Sequence, residues 1–106
     1  MFMFNVNIEF GNSDLQSLFE SNSGPLAKRF SVQVAMKFVQ RVRQIEAAND
    51  ERNLVAIRSL HFEALKGGRA GEFSVRLDRQ FRLIFTMRKQ AGAAKIVTVT
   101  RIEDYH

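Results

Sequence analysis

FSVRLDRQFRLIF, residues 73–85, decides the reading of this chain. Phe73, Val75 and Leu77 alternate with Ser74 and Arg76; Phe81, Leu83 and Phe85 then alternate with Arg82, Ile84 and Thr86. A period of two marks a strand with one buried face, and Asp78-Arg79-Gln80 supplies the polar turn between two such strands. If the Phe73/Val75/Leu77 and Phe81/Leu83/Phe85 rows face a core, Arg76 and Arg82 project from the opposite, open face. A solvated antiparallel face ordinarily carries mixed polar residues. Here it carries guanidiniums, which fork onto phosphate oxygens.

C-terminal to this hairpin, Gln90 to Ala94, containing Gly92, predicts a second turn, and Ile96 to Ile102 a β-branched final strand. At the other end, Phe2, Phe4, Val6, Ile8 and Phe10 alternate with Met3, Asn5, Asn7 and Glu9, which predicts a strand over 1–10. Gly11-Asn12 ends it. Ser13 and Gln16 form a capping box ahead of Leu15, Leu18 and Phe19, the spacing of a short helix that Ser23-Gly24-Pro25 breaks. Leu26, Phe30, Val34, Phe38, Val42 and Ile45 then lie on one helical stripe, with Gln33, Lys37, Gln40, Arg41 and Gln44 on the solvent side. That pattern predicts a long amphipathic helix ending near Asn49. Residues 50–65 read as a loop with one helical turn from Leu54 to Ile57. The order β-α-α-β-β-β predicts an α+β single domain over 1–106, a mainly antiparallel twisted sheet with two helices on one face.

The composition narrows the chemistry. The chain has 106 residues, 45% of them hydrophobic, enough for one core without staples. Cys is absent, which excludes a disulfide scaffold, thiol catalysis and thiolate metal sites. With only His61 and His106 as imidazoles, a His-rich metal centre is not expected. No apolar run reaches the ~18 residues of a membrane span, and the opening MFMFNVNIEF has neither the basic flank nor the cleavage site of a signal peptide. A cytoplasmic protein is the expectation. The charge is lopsided: residues 1–57 balance six basic against six acidic side chains, whereas 58–106 hold ten against five. The net +5 therefore sits in the second half and points to a polyanionic partner, nucleic acid or an acidic protein.

Two segments there carry candidate chemistry. In LKGGRAG, Leu65 to Gly71, three glycines stand beside Lys66 and Arg69. The loop reads either as a backbone cradle meeting a phosphate or as a turn that needs positive φ before a strand; it is not a Walker A loop. Glu103-Asp104-Tyr105-His106 brings together a carboxylate, a phenol and an imidazole, all usable in proton transfer, or else is a polar tail. His61 is a further candidate beside its bland reading as a loop histidine. Arg41 and Arg43 read as a solvated helix face, and the ten phenylalanines as packing.

Phe62-Glu63-Ala64-Leu65-Lys66-Gly67, Arg69, Gly71, Ser74-Val75-Arg76, Gln80-Phe81-Arg82, Phe85 and the ending Asp104-Tyr105-His106 follow one another in an order and spacing that resemble the HigB-type toxins of the RelE/ParE superfamily. Leu15-Gln16-Ser17-Leu18-Phe19-Glu20 also resembles that family's first-helix L-x-x-L-F-E. The resemblance implies a RelE-like microbial-ribonuclease fold and the toxin half of a bacterial type II toxin–antitoxin pair, neutralised by a helix-turn-helix, HigA-like antitoxin. It further implies metal- and cofactor-independent cleavage of messenger RNA on the ribosome. Carried onto this chain, Lys66, Arg76 and Arg82 would contact phosphate or RNA, and Asp104, Tyr105 and His106 would supply the reacting groups. Arg69 of the same basic loop is a further candidate RNA contact, and the permanent charges of Arg76 and Arg82 suit stabilising the reacting phosphate, Arg76 foremost. Some members carry a histidine three residues before the LKG lysine; here Glu63 stands there and His61 lies two residues further back. The competing reading is a ParE-like inhibitor that binds DNA gyrase and does no chemistry, since fold does not fix function. A third is a nucleic-acid-binding module without toxicity.

Overall fold

Strand β1 (Val6–Phe10) opens the described part of the chain. The computed structural model describes residues 6–48, 50–89 and 95–105; the expected strand start at 1–5, the helix end at Asn49, the turn at 90–94 and His106 lie outside them. Helix α1 (Ser13–Ser21) follows, capped by the Asn12 side chain, which accepts from the Leu15 amide. Asn12 thus takes the capping role that the sequence pattern gave to Ser13.

The expected single helix from Leu26 to Asn49 is instead two: α2 (Pro25–Arg29) and α3 (Val32–Ala47). Phe30 and Ser31 break it in extended backbone, and the Ser31 hydroxyl caps the Val34 amide. A serine able to satisfy an orphan amide competes successfully with continuing the helix. The apolar stripe survives the break, because Phe30, Val34, Phe38, Val42 and Ile45 all reach the core. Arg41, expected in solvent, is buried instead, for reasons given below. Helix α4 (Glu51–Ala56) replaces part of the expected loop, with Asp50 and Asn53 forming a reciprocal capping box. A 3₁₀ turn, Arg58–Leu60, then leads to β2 (Glu63–Ala64), and another, Gly67–Arg69, to β3 (Glu72–Arg76).

Strands β4 (Phe81–Lys89) and β5 (Lys95–Asp104) complete a five-stranded sheet in the order β1-β5-β4-β3-β2. β1 pairs with β5 in parallel and the other pairings are antiparallel. The α+β class and the mainly antiparallel sheet are as expected. One sheet face, carrying Val75, Leu77, Leu83, Phe85, Val97 and Val99, shares a core with Leu15 and Leu18 of α1 and the α3 stripe. Phe62, ahead of β2, stacks on Phe73 and extends that core along the sheet edge.

A bulge in β5 decides what stands on the other face. Phe85 pairs with Val99 but Ile84 pairs with Arg101, so Thr100 is the extra residue. Strict alternation would carry 101, 103 and 105 to the core face with Val97 and Val99. The inserted residue reverses the parity. Ile102 returns to the core side, and Arg101 and Glu103 face outward opposite Ile84 and Arg82.

Candidate functional site

The hairpin register places Arg76 of β3 opposite Arg82 of β4, both on the outward face, as the alternation predicts. Their surroundings differ. Arg82 is only 6% exposed. Its Nε donates to Ser74 Oγ at 2.9 Å, and its Nη2 donates to the His61 carbonyl and lies 3.8 Å from Glu63 Oε1. The Tyr105 ring covers the guanidinium, with Cζ 4.8 Å from the ring centroid. The expectation of a solvated Arg82 is therefore corrected: it lies on the predicted face but beneath the His61 loop and Tyr105. Arg76 is half-buried; its Nε donates to the Asp78 carbonyl and its Nη1 lies 3.4 Å from His61 Nε2.

His61 is gripped from two sides. Its carbonyl takes a hydrogen bond from Arg82, its ring meets Arg76, and its amide donates to the Arg58 carbonyl. The backbone is left-handed, φ 45°, a conformation uncommon outside glycine and held here by those contacts. A guanidinium offers only donors, so where this contact is a hydrogen bond Nε2 is its acceptor.

Tyr105 is anchored by its amide, which donates to the Gln80 carbonyl, while Gln80 Nε2 donates to Asp104 Oδ2. Asp104, the last residue of β5, pairs with Phe81 and is exposed. The β3–β4 turn that positions these groups is itself fixed by the Asp78 carboxylate, which accepts from the Gln80 and Phe81 amides. Arg76, Arg82, His61 and Tyr105 thus converge at one end of the sheet, with Glu63 and Asp104 at its margin.

Lys66 and Arg69 stand apart from that cluster. Lys66 is exposed ahead of the 3₁₀ turn, whose amides bond inward: Arg69 N to the Lys66 carbonyl and Ala70 N to the Gly67 carbonyl. Gly67 and Gly71 have φ of 67° and 95°, so the glycines serve a turn. The Arg69 guanidinium is bound bidentately by Glu103 at 2.8 and 3.0 Å and also donates to Glu72. Arg101 bonds both carboxylates from the other side, closing a four-member network. Hydrogen bonds from Arg101 and Arg69 hold the Glu72 carboxyl below its usual range, against the opposing effect of burial, and Arg69 and Arg101 do the same for Glu103. The network ties the LKGGRAG loop to the strand that delivers Tyr105.

Residues not singled out by sequence also shape the site: Ser74 and Glu63 against Arg82, Gln80 against Asp104, and Arg41. Arg41 reaches from α3 to the end of β3 that lies beyond its pairing with β2, donating from Nε to the Arg76 carbonyl and from Nη2 to the Ser59 carbonyl. Its burial against these neutral acceptors lowers its pKa from the ordinary arginine value.

These elements define the RelE/YoeB-like toxin fold. A YoeB/ParE toxin from Agrobacterium tumefaciens superposes with a TM-score of 0.60 at 14% identity, over 95% of this chain and 100% of its own. YoeB in the YoeB-YefM complex from Staphylococcus aureus gives 0.59 at 18% identity, over 95% and 97%. YafQ from E. coli gives 0.58 at 13%, over 93% and 92%. At such identities the likeness is one of fold. No protein-family model matches the chain, and no curated protein matches its sequence.

Proposed function

We propose that this chain is the toxin of a bacterial type II toxin–antitoxin pair, a HigB-type member of the RelE/ParE superfamily, and that it cleaves messenger RNA on the ribosome. It acts in the cytoplasm without metal or cofactor and is silenced by a helix-turn-helix, HigA-like antitoxin. The observation that carries this reading is the convergence of Arg76, Arg82, His61 and Tyr105 at one end of the outward sheet face. The fold shared with YoeB and YafQ, and the Asp104-Tyr105-His106 motif, support it.

The chemistry follows from the groups present. The ribose 2′-oxygen attacks the adjacent phosphorus while the bond to the 5′-oxygen breaks, leaving a 2′,3′-cyclic phosphate and a 5′-hydroxyl. Arg76 moves from His61 to the phosphate and stabilises its growing negative charge. That frees the His61 Nε2 lone pair to take the 2′-hydroxyl proton, and His106 returns a proton to the departing 5′-oxygen. Tyr105 offers its outer ring face to a base. Arg82 is a positioning residue: it holds the His61 carbonyl and the Tyr105 ring together. Lys66 supplies a phosphate contact at the rim.

Expressing the chain alone should arrest growth, and RNA from arrested cells should carry new 5′-hydroxyl ends. Inhibited gyrase supercoiling with intact messenger RNA would instead assign the ParE-like reading. Normal growth would leave a binding module.

A further inference from the structure

Beyond the Arg76/Arg82 cluster, the sheet edge next to α3 holds a shallow depression of about 380 Å³, lined among others by Lys37, Arg41, His61, Arg76, Asp78 and Arg79. Lys37 is half-buried and Arg79 exposed, and both flank the floor. That floor includes Arg41, 5% exposed, whose hydrogen bonds run to the Arg76 carbonyl, the Ser59 carbonyl and Gln44 Oε1. All three acceptors are neutral, so among the described residues Arg41 is a buried guanidinium with hydrogen bonds but no counter-charge within ion-pair distance. Such a charge is costly unless an anion compensates it. The lining carboxylate, Asp78, is taken up by the turn amides of Gln80 and Phe81. Four cations thus surround an open hollow.

We infer that this depression is a second phosphate subsite, in which Lys37 and Arg79 grip the RNA backbone next to the scissile phosphate while buried Arg41 supplies the field beneath it. The inference rests on the RNA-cleaving reading above and extends it to a binding track. Arg76 and His61 belong both to the cluster and to this hollow, so a strand whose scissile phosphate sits at Arg76 carries its neighbouring phosphate toward Lys37 and Arg79. Consecutive backbone phosphates then meet consecutive cations. Recognition of this kind is indifferent to base identity, since phosphate contacts position without specifying sequence. An acidic protein segment is the competing occupant, but the hollow is shallow and open, a shape that suits a solvated backbone phosphate better than the enclosed side chains of a docked peptide.

The test measures binding of a 2′-O-methylated single-stranded RNA, which lacks the attacking hydroxyl, so that binding is read whether or not the chain is a nuclease. Wild type, Lys37→Gln, Arg79→Gln and the double variant are titrated from low to moderate salt. Lys89→Gln is the control, seven residues beyond Arg82 on β4 and about 23 Å along the strand. Each subsite substitution should reduce the salt slope by about 0.7 and the double by about 1.4, with the Lys89→Gln slope at the wild-type value. Melting temperatures equal to wild type exclude a folding effect. Unchanged slopes in the double variant overturn the subsite, as does an unchanged slope with weakened binding of an acidic polypeptide such as poly-glutamate. Reduced slopes in a protein that cleaves no RNA support the subsite and reject the nuclease reading.

Discussion

Arg76 and Arg82 stand in register across β3 and β4 with both side chains on the same sheet face, yet their guanidiniums turn to different partners. Like charges directly opposite in a sheet destabilise it. The pair is accommodated because Arg82 is drawn down to Ser74 and the His61 carbonyl, while Arg76 swings to the Asp78 carbonyl and the His61 ring. The local excess of positive charge that results suits a phosphate.

The two arginines should separate experimentally. Arg76→Ala should lower the single-turnover cleavage rate by ~10²–10³ and reduce the salt slope of RNA binding by about 0.7. Arg82→Met should also cut the rate but leave the slope unchanged, because this guanidinium is covered. Tyr105 is the sole tyrosine in a chain without tryptophan, so its fluorescence reports the lost stacking directly. Arg82→Lys should not restore activity, since an ammonium cannot reproduce the fork between Ser74 and His61.

His61→Asn tests the proposed base without disturbing the backbone. Asparagine tolerates the left-handed conformation at φ 45°, so the fold should be kept, whereas the ring nitrogen is lost. Cleavage should fall by ~10²–10⁴ in single-turnover assays. Wild-type cleavage in a folded variant would remove His61 from proton transfer.

Much of this arrangement was legible in residues 73–85, because alternation alone fixed which side of the sheet each arginine occupies. Their burial was not. Arg82 is covered by His61 and Tyr105, which arrive from 21 residues before and 23 after it, and local periodicity carries no information about either. Arg41 flanks an apolar stripe and has the pattern of a solvent residue; only the end of β3 and the 3₁₀ turn at Ser59 supply the carbonyls that draw it inward. β2 is two residues long, too short to show a period. Thr100 is a β-branched residue in a β-branched run, so nothing in sequence marks the bulge that brings Tyr105 to the Arg82 face.

The Glu72–Glu103 network predicts a pH dependence of stability. Both carboxyls are depressed in the folded protein by their arginine partners. Their contribution is present in full above the unfolded carboxylate value, about 4.3, and is lost as pH falls through the lower folded values. Glu103→Gln should therefore be less stable than wild type at pH 7, by about 1 kcal/mol. That difference should vanish on acidification below the folded range, as urea titrations across pH 2–7 would show.

Fold and chemistry should come apart in a second pair. Phe38 is fully buried, and Phe38→Ala should cost ~3–5 kcal/mol in denaturant unfolding. Tyr105 is 43% exposed, and Tyr105→Ala should cost under about 1 kcal/mol while impairing cleavage. Comparable destabilisation by the two would make Tyr105 structural.

The central claim is that the Arg76 end of the outward face cuts messenger RNA, and mapping new 5′ ends in a translating extract tests it most directly. Wild-type protein should generate discrete 5′-hydroxyl ends within translated messages, and equal amounts of folded Arg76→Ala should generate almost none. Messages left intact by wild-type protein that nonetheless arrests growth would contradict the account.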